Sequence, residues 1–127
     1  KQTKTKVRDR WFNYLHVTCG DRTLLRRRGE GDIWQGLYEF PMIETDRAAD
    51  FSELTDSEEF RTLLDGVEWR LLRSVAMPKH QLSHQTLHAV FHRIEISFPV
   101  DFPSVPTATL GDYAVPRLID RYLDRQP

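Results

Sequence analysis

Four histidines recur at every fourth position in the stretch "HQLSHQTLHAVFH": His80, His84, His88 and His92. Imidazoles in such a row can ligate a metal, move protons near neutral pH, or simply decorate one face of an element. The backbone decides between these. On a helix, residues four apart lie one above the other, and two of them can share a zinc ion. On a strand, which rises about 3.3 Å per residue, they stand roughly 13 Å apart. Two ligands that each lie about 2 Å from one zinc cannot be so separated. Leu87, Val90, Phe91, Ile94 and Phe98 would suit a helix, but the β-branched and aromatic run "VFHRIEISF" predicts a strand. His88 and His92 are then structural residues of a half-buried strand. His80, Ser83 and His84 fall in the loop that leads into it, where polar side chains more often contact a partner. No further cluster of Cys, His or Asp completes a metal site in the sequence. Ser83 beside His84 is not read as a nucleophile and its base, because adjacent residues rarely align that way and no G-x-S-x-G pattern is present.

The elements around this loop show in the patterning. "KQTKTKVRDR", residues 1–10, has almost no apolar side chains and reads as an interdomain linker, which leaves residues 11–127 as one domain. "WFNYLHVTC" alternates as a strand, with Phe12, Tyr14 and His16 on one side and Asn13, Leu15 and Val17 on the other. "GDR" turns the chain and "TLLRRR" returns, so residues 11–28 form a hairpin. Arg26, Arg27 and Arg28 run into a charged loop with two glycines. "IWQGLYEFPMIE" is dense in aromatic and β-branched residues, with Pro41 as its stop. "TDSEEFRTLLDG" is a short amphipathic helix, capped near Thr55, Asp56 and Ser57 and stopped by Gly66. "EWRLLRSVAM" is a strand ended by Pro78, and "FPVDFPSVPT" breaks regular structure three times. "VPRLIDRYLDR" closes the chain as a helix, with Pro116 in its first turn and Leu118, Ile119, Tyr122 and Leu123 facing inward. Strands, helix, strands, helix in that order predict an α+β domain.

Composition narrows the function. The chain has 127 residues, one domain's worth, and no apolar run long enough to span a membrane. A single cysteine, Cys19, excludes an internal disulfide and any all-cysteine metal or iron–sulfur site. It fits a reducing, cytosolic setting. The first residue, Lys1, suggests a domain cut from a longer protein. The net charge of −1 conceals a balance of +7 over residues 1–28, −9 over 29–66 and +1 over 67–127. Nucleic-acid binders that act alone are usually basic overall. If this chain touches nucleic acid, it does so over a limited surface near the basic N-terminal part, and on charge alone those residues read as a solvated edge strand and linker.

The stretch "DIWQGLYEFPMIET", residues 32–45, resembles the opening of the Nudix hydrolase signature, and more closely its counterpart in the C-terminal domain of adenine DNA glycosylases of the MutY type. The hairpin "NYLHV…GDRTLLRRR", the loop "LSHQTLH" and the closing "VPRLIDRYL" are also similar to that family, so the resemblance covers essentially the whole chain. It implies a Nudix/MutT-like α+β fold, a mixed β-sheet flanked by two helices. It implies a role in base excision repair, recognising 8-oxoguanine opposite adenine in double-stranded DNA while a separate N-terminal domain, which carries a 4Fe-4S cluster in that family, does the catalysis. The chain itself is then expected to be an accessory domain and not an enzyme, with no catalytic residue, metal or cofactor of its own. A bacterial cytoplasm, on the nucleoid, is the implied location.

Carried over residue by residue, the loop serine of the family is Ser83, whose hydroxyl would meet the N7/O8 edge of the lesion. His84 would brace the loop or touch the backbone. Leu82 stands where the family has phenylalanine, which leaves an apolar wedge but removes aromatic stacking. Gln81 and His80 would reach phosphate, and Arg26, Arg27 and Arg28 would face the duplex. The departure from Nudix hydrolases lies in their R-E-x-x-E-E helix, whose carboxylates bind magnesium. Here "DSEEFRTLLDG" keeps Glu58 and Glu59 but lacks the preceding Arg-Glu pair, and Met42 and Ile43 replace two glycines. A magnesium-dependent nucleoside diphosphate hydrolase is the alternative, and a protein-interaction module docked through the basic leader is a third reading.

Overall fold

The computed structural model describes residues 7–126. Two long strands form its spine: β1 (Arg8–Cys19) and β8 (Gln85–Ile96), paired in parallel from Arg8 opposite Gln85 to Cys19 opposite Ile96. A parallel pair is usually covered on both faces, which demands apolar side chains on each. β1 meets that demand with Phe12 and Tyr14 on one side and Leu15 and Val17 on the other, all buried.

Shorter strands line the outer edges of this spine. β2 (Arg22–Leu24) and β5 (Met42–Thr45) both pair antiparallel with β1, at opposite ends of it. β6 (Trp69–Ala76) and β7 (His80–Gln81) divide the far edge of β8 in the same way. β9 (Ser104–Pro106) extends the sheet beyond β2, while β3 (Arg26–Arg27) and β4 (Tyr38–Glu39) form a separate two-stranded ribbon.

Helices cover both faces. On one, α1 (Phe51–Thr55) and α2 (Glu58–Leu64) deliver Leu54, Phe60 and Leu64 to a core with Leu15, Val17, Ile43, Ile94 and Ile96. On the other, α3 (Arg117–Asp124) sets Leu118, Ile119 and Tyr122 against Phe12, Tyr14, Phe40, Leu87 and Phe91. Phe91 and Tyr122 stack at 3.9 Å, the closest of several ring contacts that bind this second core. The predicted α+β fold, a mixed sheet between helices, is the observed one.

The details differ in instructive places. β1 begins at Arg8, so three residues read as linker belong to the central strand, while residues 1–6 lie outside the described residues. Pro41 does not stop its strand. It separates β4 from β5, and its carbonyl accepts from the Leu15 backbone N–H at 2.8 Å, so the chain bends there and rejoins β1. Helix α1 has no counterpart in the sequence reading. Five residues with a capping box of Asp50 and Glu53 are too short for a periodic pattern to register. Ser57 caps α2 by accepting from the Phe60 N–H, and Gly66 takes the left-handed φ of 70° expected of a helix stop.

Two histidines are sealed in the cores. His16 bonds Tyr122 through Nδ1 at 2.7 Å, and burial, with the nearby Arg93 and Arg73 cations, lowers its pKa to about 3. His92 bonds Ser74 through Nδ1, has no partner for Nε2 among the described residues, and is lowered by burial to about 4. In the unfolded chain both protonate near pH 6.5. The unfolded state thus binds more protons below that pH, and stability falls as the solution is acidified towards pH 4. We expect the melting temperature to drop over this interval and His92→Phe to remove part of the drop. An unchanged pH dependence in the variant would contradict the burial of a neutral imidazole.

Candidate functional site

The site is built from one arginine outward. Arg10 lies on the same side of β1 as Phe12 and Tyr14, and its guanidinium has five N–H donors. All of its donor nitrogens are engaged. Nε and Nη2 bond Glu44 at 2.8 and 2.7 Å, Nη1 and Nη2 bond Asp32 at 2.7 and 2.9 Å, and Nη1 also bonds Gln85 at 3.1 Å. β5, the loop after β3 and the first residue of β8 are thereby tied to one side chain. The paired guanidinium draws the Asp32 pKa down to about 2 and lowers that of Glu44.

From Asp32 the network continues inward. Arg28 donates to Asp32 at 3.0 Å, to the Ile33 carbonyl at 3.0 Å and to Glu39 at 2.7 Å. The Glu39 side chain is 0% exposed, and its second oxygen accepts from Arg26 at 3.1 Å. Burial of a carboxylate is tolerated only when it is paired and bonded in this way. Arg27 donates to the Gly36 carbonyl at 3.1 Å, and Gly36, at φ 79°, has the Arg27 guanidinium where a Cβ would stand. Trp34 holds a left-handed φ of 60°, uncommon for a bulky residue. Its ring packs edge-on against Phe12 and against His80.

His80 is where this scaffold meets the hairpin of β7 and β8. The Leu82 N–H donates to the Gln85 carbonyl at 2.7 Å, so Ser83 and His84 alone form the two-residue tip. The His84 carbonyl accepts from the Arg8 N–H, which pins the tip to the start of β1. Gln81 is occupied locally, donating to the Leu82 carbonyl and accepting from the Thr86 hydroxyl. Leu82 is half-buried against the core under α3. Ser83 and His84 are exposed, and neither side chain has a hydrogen-bond partner among the described residues.

The residues singled out by sequence separate into two groups. His80, Gln81, Leu82, Ser83 and His84 form one hairpin end, with Ser83 and His84 presented to solvent and the other three holding it. Leu82 is therefore an anchor in this conformation and not a projecting wedge. Arg26, Arg27 and Arg28 are turned to their own loop. Arg28, with a side chain 7% exposed, is held inside this network, while Arg26 remains 46% exposed. The four histidines diverge: His80 meets Trp34, His88 stacks on Trp11 and bonds Asp9, and His92 bonds Ser74. Sequence reasoning missed Arg10 and Trp34. Arg10 shares its parity with Phe12 and Tyr14, a signal that extending the strand by one step would have used. Nothing local marks Trp34 for a positive φ.

The magnesium that the fold implies would need several oxygen ligands at about 2.0–2.1 Å. Asp32, Glu39 and Glu44 are consumed by Arg10, Arg26 and Arg28, and no group of three His, Cys, Asp or Glu side chains stands ready to hold a metal among the described residues. Glu58 and Glu59 lie on α2, at the rim of a cleft of about 400 Å³ that Arg26, Thr62, Asp101 and the apolar Met42 and Phe102 also line. The donor set does not fit a magnesium centre.

A mixed sheet between helices, built on a parallel central pair, is the architecture of a Nudix-fold protein. The chain belongs to the Nudix family: the NUDIX domain matches it over residues 13–125. A MutT protein from Methanosarcina mazei Go1 superposes with a TM-score of 0.70 at 14% identity, covering 96% of this chain and 95% of its own. The ORF135 protein of E. coli gives 0.64 at 14% identity, with 93% and 91% covered. The RenU Nudix hydrolase of M. smegmatis gives 0.57 at 11% identity, with 93% and 88% covered. At such identities the likeness is one of fold. No curated protein matches the sequence. These structures correct one expectation, that of an accessory domain which is not an enzyme. The chain spans nearly the full length of proteins named as MutT and Nudix hydrolase, so its fold is one that such proteins use over their whole length. No helix among the described residues is long and apolar enough to cross a membrane.

Replacing Arg10 tests the hub. In Arg10→Met, Asp32 loses the stronger of the two cations that lower it and keeps Arg28, and its carboxyl, followed by carbon-detected NMR, should titrate above about 2. The stability that the pair contributes is present above the ordinary aspartate pKa and is lost as pH falls through the folded value. The variant should therefore be less stable than the wild type at pH 7 and converge with it in strong acid. An Asp32 titration that does not move would remove Arg10 from the centre of the network.

Proposed function

We propose that this Nudix domain recognises 8-oxoguanine opposite adenine in duplex DNA through the tip of the β7–β8 hairpin, in the repair role of the MutY-type glycosylases that its sequence resembles. One observation carries the reading: Ser83 and His84 are the exposed pair at the tip, with no intramolecular partner among the described residues, on a hairpin whose other side chains are anchored. Such a tip is preorganised, so little ordering cost opposes contact. 8-Oxoguanine has an N7–H where guanine has only an acceptor, and a serine hydroxyl can accept from the first and donate to the second. Discrimination then depends on what else the tip makes at O8, where His84 is the neighbouring donor.

A second reading, a Nudix phosphohydrolase acting on a nucleoside diphosphate derivative, has its own support. The family and the names of the similar structures favour it, as does the cleft beside Glu58 and Glu59. We keep it second because Asp32, Glu39 and Glu44 are paired with arginines, although the family and the similar structures support it better than the first.

Isotope-labelled protein titrated with two short duplexes, one with 8-oxoguanine and one with guanine opposite adenine, separates these readings. Amide shifts at residues 81–84 should be larger with the lesion, and Ser83→Ala should reduce that difference. Equal shifts with both duplexes would end the assignment to the tip. Magnesium-dependent phosphate release from nucleoside diphosphate derivatives, abolished by Glu58→Gln with Glu59→Gln, would establish the second reading instead.

A further inference from the structure

The exposed side of α3 separates its charges. Arg117, Arg121 and Arg125 recur at a spacing of four and line up along the helix, next to the buried edge at Leu118. Asp120 and Asp124 fall on the other side of the exposed arc. Leu82 of the hairpin packs in the same core as Leu118 and Leu123 of α3, which sets the helix beside it, and the Arg121 and Arg117 cations add to burial in lowering the pKa of His80. Lys79 precedes that histidine and is exposed. At the far end, Arg73 of β6 donates to Gln126, just past the helix, so the row continues onto the sheet edge.

None of Arg73, Lys79, Arg117, Arg121 and Arg125 forms a salt bridge among the described residues. The arginines of the loop network, by contrast, are all committed. The opposite face of the sheet carries Glu53, Asp56, Glu58 and Glu59 on and between α1 and α2. A chain of net charge −1 thus presents one basic face and one acidic face.

We propose that the Arg117–Arg121–Arg125 row, continued by Lys79 and Arg73, is a track for a nucleic-acid backbone that lays a duplex along α3 beside the hairpin tip. The inference deepens the proposed function and rests on it for the choice of duplex DNA. Arg117 to Arg125 covers roughly 12 Å of helix, and a duplex offers a charge about every 1.7 Å of its axis, so each guanidinium can meet a phosphate in any sequence. A membrane surface is the poorer match. Helices that lie in a bilayer insert apolar side chains beside the basic ones, and the exposed arc of α3 carries only arginine and aspartate. The sequence places its positive balance in residues 1–28, yet Arg10, Arg26, Arg27 and Arg28 are spent within the fold, and the row is built from α3, Lys79 and Arg73 of β6 instead.

Fluorescence anisotropy with labelled duplexes over a series of salt concentrations tests the track. Arg117→Gln with Arg121→Gln should weaken binding of the lesion and guanine duplexes together, by about tenfold, and reduce the slope of log affinity against log salt by about 2. The ratio between the duplexes should stay as in the wild type. Arg61→Gln, on the opposite face, should change neither quantity. Ser83→Ala should alter the ratio and leave the salt slope. Wild-type affinity and slope in the double arginine variant would overturn the track, as would absence of duplex binding at low salt. Equal binding to phosphatidylglycerol vesicles at matched phosphate would overturn its assignment to nucleic acid. A wild-type ratio of one, with the arginine dependence intact, would keep the track and remove lesion reading from the tip.

Discussion

Arg10 holds this architecture in register. A guanidinium beneath the end of a central strand is costly unless every donor is satisfied, and here two carboxylates and an amide satisfy it. The consequence is geometric. Glu44 fixes β5 against β1, Asp32 fixes the loop that carries Trp34, and Gln85 fixes the base of the hairpin. Asp32 then passes the constraint to Arg28, and Arg28 passes it to the buried Glu39. Three segments distant in sequence converge on one side chain, and the hairpin tip projects from where they meet.

The same network shapes what the site can do. Nudix hydrolases direct carboxylates at a metal that activates water. In this chain the carboxylates of β4, β5 and the loop before them are directed at arginines, and the two on α2 are joined by no third ligand among the described residues. The fold is kept while its charged groups serve as internal struts. The chemistry left at the surface is a serine and a histidine on a rigid tip and a row of cations on α3. That combination is the surface on which the proposed recognition of a polyanion rests, while the family and the similar structures carry the hydrolase reading.

How far the sequence revealed this depended on the range of the interactions. Alternation in "WFNYLHVTC" and the period of "VPRLIDRYLDR" are local, and they predicted β1 and α3 because burial follows parity and helical pitch directly. The hairpin loop was legible through its polar residues, although only the fold shows that Leu82 points inward and that Ser83 and His84 are the tip. The pairing of Arg26 and Arg28 was not legible, because a run of arginines looks solvated until a buried carboxylate 11 to 13 residues away is placed opposite it. Arg10 was assigned to a linker for the same reason. Its partners lie 22, 34 and 75 residues further on, beyond any local pattern. The left-handed Trp34 is set by the closure of its loop on Arg28, which no single-residue preference encodes.

Asp32, Glu39 and Glu44, the acidic side chains of the Nudix strand and loop, serve arginines and not a metal. Titrating manganese into the labelled protein and following paramagnetic broadening of each residue tests it most directly. The account predicts weak, non-saturating broadening confined to exposed acids such as Glu58 and Glu59, with Asp32, Glu39 and Glu44 unaffected. Saturable broadening centred on Asp32, Glu39 or Glu44, reversed by magnesium, would contradict it and return the site to metal-dependent catalysis.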